Sequence, residues 1–248
     1  MTLPIFLIYL VQLVYLLPLK DRRSRHLGFP WMTASLVLLN TLIHVGVTLL
    51  ALRQAGPFEE AAWQLLYPFM EVPDLILKNE GLGALSVLTS GFLHGGLWHL
   101  LGNMFILWFF GRKVEDATGP ARFALFYLLC LFTSALLSVV ARGIFTPEEA
   151  KIPGLGASGA IFGVMTAYLF LYAEERILTL VLPIPWAFWL PAWVFILRDL
   201  LLNALVGELV QQGQIFVTVN IFAHLGGAAG GMLFIYFFLH PDVFAQRR

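Results

Sequence analysis

The sequence predicts an all-α fold: a polytopic membrane protein built as a bundle of six transmembrane helices, with an extra hydrophobic segment at the N-terminus. Three observations carry this expectation. Hydrophobic residues make up 59% of the 248 positions and charged residues only 12%, with a mean hydropathy of +0.82, whereas a soluble domain carries roughly 25% charged residues. Six uncharged stretches match the ~20 apolar residues that a helix needs to cross a bilayer. Lys and Arg are spread unevenly over the loops between those stretches.

The N-terminal run Met1 to Leu19 is apolar but broken by Pro4, Gln12 and Pro18. It is followed by Lys20-Asp21-Arg22-Arg23 rather than by small residues, which argues against removal as a signal peptide and leaves a seventh helix, an uncleaved signal-like segment or a helix lying in the interface. We divide the chain into residues 1–16, an extension of unknown role, and residues 17–248, a membrane domain. The six stretches are Trp31 to Leu52, Leu82 to Gly111, Phe123 to Ala141, Ile152 to Ala173, Ile177 to Leu197 and Leu209 to Pro241. The second and last exceed one span, so their first residues are expected to form outer loop. Between the first two, the apolar segment Ala61 to Phe69 is too short to span and reads as a helix lying in the interface, anchored by Trp63 and Tyr67.

Positive loops stay cytoplasmic. With Lys20 to His26 inside, the inner loops and tail hold ten of the fifteen Lys and Arg residues. Both ends of the six-helix core then face the cytoplasm, and helices two, four and six run from outside to inside. Fifteen Asp and Glu balance the positive charges, which excludes a polyanion such as nucleic acid as the evident partner. The single cysteine, Cys130, excludes an intramolecular disulfide and a multi-cysteine metal centre.

A polar side chain in a bilayer core costs stability unless it is paired, so each one marks a functional candidate. Helix two carries His99 and Asn103, four apart and on one face. Helix four begins Gly156-Ala157-Ser158-Gly159, and helix six contains His224. All three groups fall in the outer part of helices that start outside, and so at similar depth. Gly159 with Gly163, Gly226 with Gly230 and Gly227 with Gly231 give small-xxx-small stripes that allow close approach of helix backbones in lipid. Packing helix four on helix six along these stripes brings Ser158 toward His224. A serine hydroxyl is a weak nucleophile until a base takes its proton, and a neutral imidazole suits that role. No embedded carboxylate offers itself as a third member, since Asp199 adjoins Arg198 as its natural partner. Attack on a carbonyl also needs donors for the oxyanion. The side chains of His99 and Asn103 and the backbone N–H of Ser158 are the candidates. The glycines of Pro153-Gly154-Leu155-Gly156 provide the turn that places Ser158 at a helix N-terminus.

These residues resemble the rhomboid family of intramembrane serine proteases. The likeness lies in Gly156-Ala157-Ser158-Gly159, in His99 to Asn103 with His94 upstream, in His224, Gly227 and Gly231, and in the turn Glu115 to Gly119. It covers the chain from about Leu17 onward. The resemblance implies a rhomboid-like six-helix fold of prokaryotic type, a Ser158–His224 dyad, no cofactor and no metal, and cleavage of single-span transmembrane proteins near the outer edge of the bilayer. It further implies an integral protein of a prokaryotic cell membrane; the oligomeric state is not implied. Gly156, Gly159, Gly227, Gly231, Phe162 and His94 take supporting roles. Two departures stand out: Leu85-Ser86 replaces a Trp-Arg pair found in some members, and Phe162 stands where some have a tyrosine against the catalytic histidine. The rival readings are a catalytically silent relative that binds membrane proteins, which would be expected to lack the serine or the histidine, and a transporter, which would need charged groups at mid-membrane. A metal site of His94, His99 and His224 lacks both the spacing and a carboxylate.

Overall fold

The computed structural model describes residues 15–21, 28–182, 186–211 and 220–240. The first fourteen residues of the N-terminal extension, as well as residues 183–185 of the fifth stretch and 212–219 of the sixth, lie outside the described residues. The described chain is mostly helical, and three of its helices are long and apolar enough to cross a membrane: α1 (Trp31–Ala51), α7 (Pro120–Ile144) and α10 (Ile221–Phe238). Between them run α2 (Phe58–Leu66), α3 (Pro73–Leu77), α4 (Leu85–Ser90), α5 (Leu97–Ile106), α6 (Arg112–Thr118), α8 (Ser158–Leu171) and α9 (Ala192–Gln211). The short helix expected at Ala61 to Phe69 corresponds to α2 and the 3-10 turn Tyr67–Phe69 that follows it, with Trp63 and Tyr67 exposed.

The second hydrophobic stretch divides differently from the sequence expectation. Gly95 and Gly96 delay the long helix until Leu97, and α5 then continues through a π turn at Leu107–Gly111 into α6. The helix therefore runs beyond the charges at Arg112 and Lys113 instead of stopping before them. Lys113 is tolerated because its Nζ meets the Asp21 carboxylate at 3.0 Å, with both side chains buried. At Gly119, φ is +81°, a conformation glycine adopts without penalty, and Pro120 opens α7 where its missing N–H costs nothing.

A larger correction concerns the fifth stretch, Ile177 to Leu197, which was expected to be a transmembrane helix. Up to Pro191 its described residues form two antiparallel strands, β2 (Arg176–Leu182) and β3 (Trp186–Pro191), and only the last residues join α9. Pro191 and its upstream prolines cannot sustain a helical ladder, while Ile177, Thr179, Val181 and the aromatics of β3 suit a pleated surface. The end of the N-terminal run supplies the third strand, β1 (Tyr15–Asp21), paired antiparallel with β2 from Tyr15 opposite Leu182 to Asp21 opposite Ile177. Over these residues the run is therefore strand, not a seventh helix, and the fold is not purely α.

The first turn of α1 has no side-chain cap of its own. Instead Glu115 of α6 accepts the backbone N–H groups of Met32 and Thr33 at 2.9 and 2.7 Å, and the Thr33 hydroxyl at 2.7 Å. A buried carboxylate thereby takes up orphan amides at the positive end of a helix. The apolar core lies between α5–α6, α7, α8 and α9, where Phe110, Phe123, Phe126, Tyr127, Tyr168 and Phe195 are fully buried.

Candidate active site

Helix α10 packs against α8 and α7 through glycines. A Cβ at Gly227 would run into the carbonyl of Gly159, and one at Gly231 into the carbonyl of Gly163. The second stripe, Gly226 and Gly230, meets α7 at Thr133 rather than α8. Backbone contact on both sides fixes the height of His224 relative to Ser158.

Ser158 is the first residue of α8, and it follows Gly156, whose φ of +124° turns the chain. The Gly156 N–H donates to the Ser90 carbonyl at 2.9 Å, and a Cβ at Gly156 would come within 3.0 Å of the His99 imidazole. Glycine is thus demanded there by backbone conformation and by space. Across the helix interface, His224 Nε2 lies 2.8 Å from Ser158 Oγ. Phe162, one turn along α8, stacks on the His224 ring at 4.4 Å between centroids and 26° between planes, so the ring is held by packing as well as by its hydrogen bond.

His99 and Asn103, successive turns of α5, share with Ser158 and His224 an open cleft of about 940 Å³. Asn103 Nδ2 is buried and meets no acceptor among the described residues, which leaves it a donor in reserve. The first amides of a helix likewise have no intrahelical acceptor, and Ser158 N–H is one of these in α8. His94 is buried and lies edge-on to His99, with ring centroids 5.1 Å apart; it does not line the cleft. Arg198 and Asp199, also at the cleft, pair with each other at 2.8 Å, as their adjacency suggests. Ser158, His224, His99, Asn103, Phe162, Gly156 and Gly159 line the cleft, Gly227 and His94 lie against Gly159 and His99, and Gly231 meets Gly163 outside it.

Reading the sequence missed a second polar cluster beside this pair: Glu71, Ser138, Arg142 and Asn220, all joined by hydrogen bonds or ion pairing. The one available signal was Arg142, a charge directly after an apolar run, which reads just as well as the end of a span.

A family profile described as the Rhomboid domain matches residues 83–241, well over half of the chain. Rhomboid protein 1, mitochondrial, of Saccharomyces cerevisiae is 32% identical over 178 residues, which cover 69% of this chain and 47% of the yeast protein. Rhomboid protease GluP of Bacillus subtilis is 33% identical over 147 residues, 58% of this chain and 24% of that protein. RHOMBOID-like protein 1 of Arabidopsis thaliana is 29% identical over 243 residues, 88% of this chain and 55% of the plant protein. The chain spans between a quarter and about half of the length of these relatives. They include mitochondrial and bacterial proteins, so the expected prokaryotic cell membrane gains no support from them, while an integral membrane location does. Motif, helix packing and sequence similarity converge: the chain belongs to the rhomboid family.

Proposed function

We propose that the protein is an intramembrane serine endopeptidase that cleaves transmembrane proteins in or beside the bilayer. The observation that carries this reading is the 2.8 Å approach of His224 Nε2 to Ser158 Oγ in a ring stack with Phe162. As Ser158 Oγ attacks the scissile carbonyl carbon, its proton passes to His224 Nε2. The oxyanion takes hydrogen bonds from the Ser158 N–H and the side chains of His99 and Asn103. Collapse of the tetrahedral species breaks the C–N bond, and His224 returns the proton to the leaving amine. Water, deprotonated by the same imidazole, then releases the acyl group from Ser158.

The six membrane passages of this reading are α1, the continuous run α5 to α6, α7, α8, α9 and α10, and strand β1 belongs to the same domain, which therefore starts no later than Tyr15 rather than at Leu17. Substrates are single-span helices that unwind at their outer end, since an intact helix offers no peptide carbonyl to the serine. A role limited to binding membrane proteins would not need a hydrogen-bonded serine and histidine.

Cleavage of a single-span reporter by purified protein in liposomes tests the proposal. Ser158→Ala and His224→Ala should each abolish cleavage while leaving the protein folded. Cleavage that survives either substitution would defeat the dyad.

A further inference from the structure

We infer that Glu71, on the outer loop, is a positioning residue for both halves of the catalytic pair. Its buried carboxyl joins the loop that leads to Ser158 and the start of the helix that carries His224. This rests on Ser158 and His224 being the reacting pair.

Toward His224 the connection is a directed chain. Asn220 Nδ2 donates to Ser138 Oγ at 2.7 Å, so the Ser138 hydroxyl keeps its own proton for Glu71 Oε1, 2.5 Å away. Asn220 is also the N-cap of α10. Its Oδ1 accepts the Ala223 N–H at 3.1 Å, and its carbonyl accepts the His224 N–H at 3.3 Å. Rotating the Asn220 side chain away would free the first turn of α10, where His224 stands.

Toward Ser158 the connection is through backbone and guanidinium. Glu71 and Gly154 exchange both backbone hydrogen bonds, at 2.9 and 2.7 Å. Arg142 Nη1 lies 3.6 Å from Glu71 Oε1, while its Nη2 donates to the carbonyls of Glu149 and Ile152. Residues 149–154 are thus clamped between an ion pair and a two-bond bridge, just ahead of the turn at Gly156. Gly154 sits at the meeting point: a Cβ there would lie 3.5 Å from both Arg142 Nη1 and Asn220 Nδ2.

A buried ion pair is a poor means of gaining stability, because desolvation offsets the attraction. What the Glu71 carboxyl supplies here is registry among three segments: the loop carrying Glu71, the loop before α8 and the cap of α10. The Ser138 bond needs only an acceptor oxygen, which a glutamine also provides, whereas alanine removes it.

The test compares Glu71→Ala, Glu71→Gln and Ser138→Ala with wild type, by kcat and KM on the single-span reporter and by hydrogen exchange at the amides of 154–158 and 221–224. Misplacement of the pair by a fraction of an ångström should lower kcat of Glu71→Ala by about tenfold to a hundredfold, with KM within about twofold. Exchange at both segments should accelerate together. Glu71→Gln should restore kcat to within about threefold, and Ser138→Ala should fall between the two and quicken exchange chiefly at 221–224. Wild-type kcat in a folded Glu71→Ala protein, or a glutamine variant as impaired as alanine, would overturn the inference. Should Glu71→Ala fail to fold, Ser138→Ala at wild-type kcat with unchanged exchange would do the same. A wild-type protein that cleaves no reporter defeats the proposed function instead, and exchange in the three variants then decides the positioning role alone.

Discussion

Removing the Asn103 amide is the cleaner test of the proposed oxyanion site, because Asn103 holds no other residue in place among the hydrogen bonds described. If its buried Nδ2 becomes satisfied only when an oxyanion forms, Asn103→Ala should lower kcat by about a hundredfold and leave KM within about threefold, as loss of a single oxyanion donor does elsewhere. Steady-state kinetics on the reporter reads this directly, and a rise in KM at constant kcat would reassign Asn103 to ground-state binding. Glu71 makes a prediction of another kind. Burial pushes its carboxyl up from the usual 4.5 to about 7, against the opposing pull of the Ser138 hydrogen bond and the Arg142 charge. A raised folded value means that the native protein holds the proton more tightly. The resulting stabilisation is fully present below about pH 4.5 and lost as pH rises through about 7. Relative to Glu71→Gln, the melting temperature of the wild type in detergent should fall across that window and run parallel outside it. A constant difference would show that the carboxyl does not titrate there. The two sites were unequally legible in the sequence. Ser158, His224 and Asn103 are polar residues within apolar runs, which the cost of burial in lipid makes conspicuous. Glu71, Ser138, Arg142 and Asn220 stand near loop boundaries where polarity needs no explanation, and only the fold brings them together.

Helices α8 and α10 meet at backbone distance, so their glycines are steric requirements rather than sequence habit. A Cβ at Gly163 would sit 2.6 Å from Cys130 Cβ and 2.7 Å from the Gly227 carbonyl, and neither neighbour is a flexible side-chain end. Gly163→Ala should therefore cost about 1 to 3 kcal/mol of stability, as overpacking does in tight cores, and should depress cleavage by parting Ser158 from His224. Gly46→Ala in α1 is the matched control, because a Cβ there meets nothing within 4 Å, and its melting temperature should equal or slightly exceed that of the wild type. Equal losses at both positions would mean that glycine content, not close approach, sets the packing. Small-residue spacing announced this interface in the sequence. It did not say that Gly226 and Gly230 face α7, because two stripes on one helix do not name their partners. The paired strands β2 and β3 were illegible for a related reason: a short apolar run with prolines satisfies the length criterion for a span, and hydropathy alone does not separate strand from helix.

At the scale of the molecule, the sheet constrains topology more firmly than charge counting does. Strand β1 precedes α1 and strand β2 follows α8, yet they are hydrogen-bonded neighbours, with Lys20 opposite Leu178. The chain must therefore lie on the same side of the membrane at both points, whichever side that is. The Lys and Arg distribution, taken alone, assigned Lys20 and Arg176 to the cytoplasm, and the pairing agrees that they share a side. If α1 crosses the bilayer, the loop bearing α2 and Glu71 lies opposite, on the side where Ser158 begins α8. Single-cysteine variants at Lys20, Trp186 and Phe58 check this with a membrane-impermeant maleimide on sealed vesicles. All three side chains are exposed, whereas the native Cys130 is fully buried and should stay silent. Positions 20 and 186 should label together from one face and position 58 only from the other. With cytoplasm-facing vesicles, labelling of 20 and 186 without permeabilisation would place the sheet inside and the Ser158–His224 cleft toward the outer leaflet. Labelling of 20 and 186 from opposite faces would be incompatible with the sheet, and with it the ion pair that anchors Asp21 on Lys113.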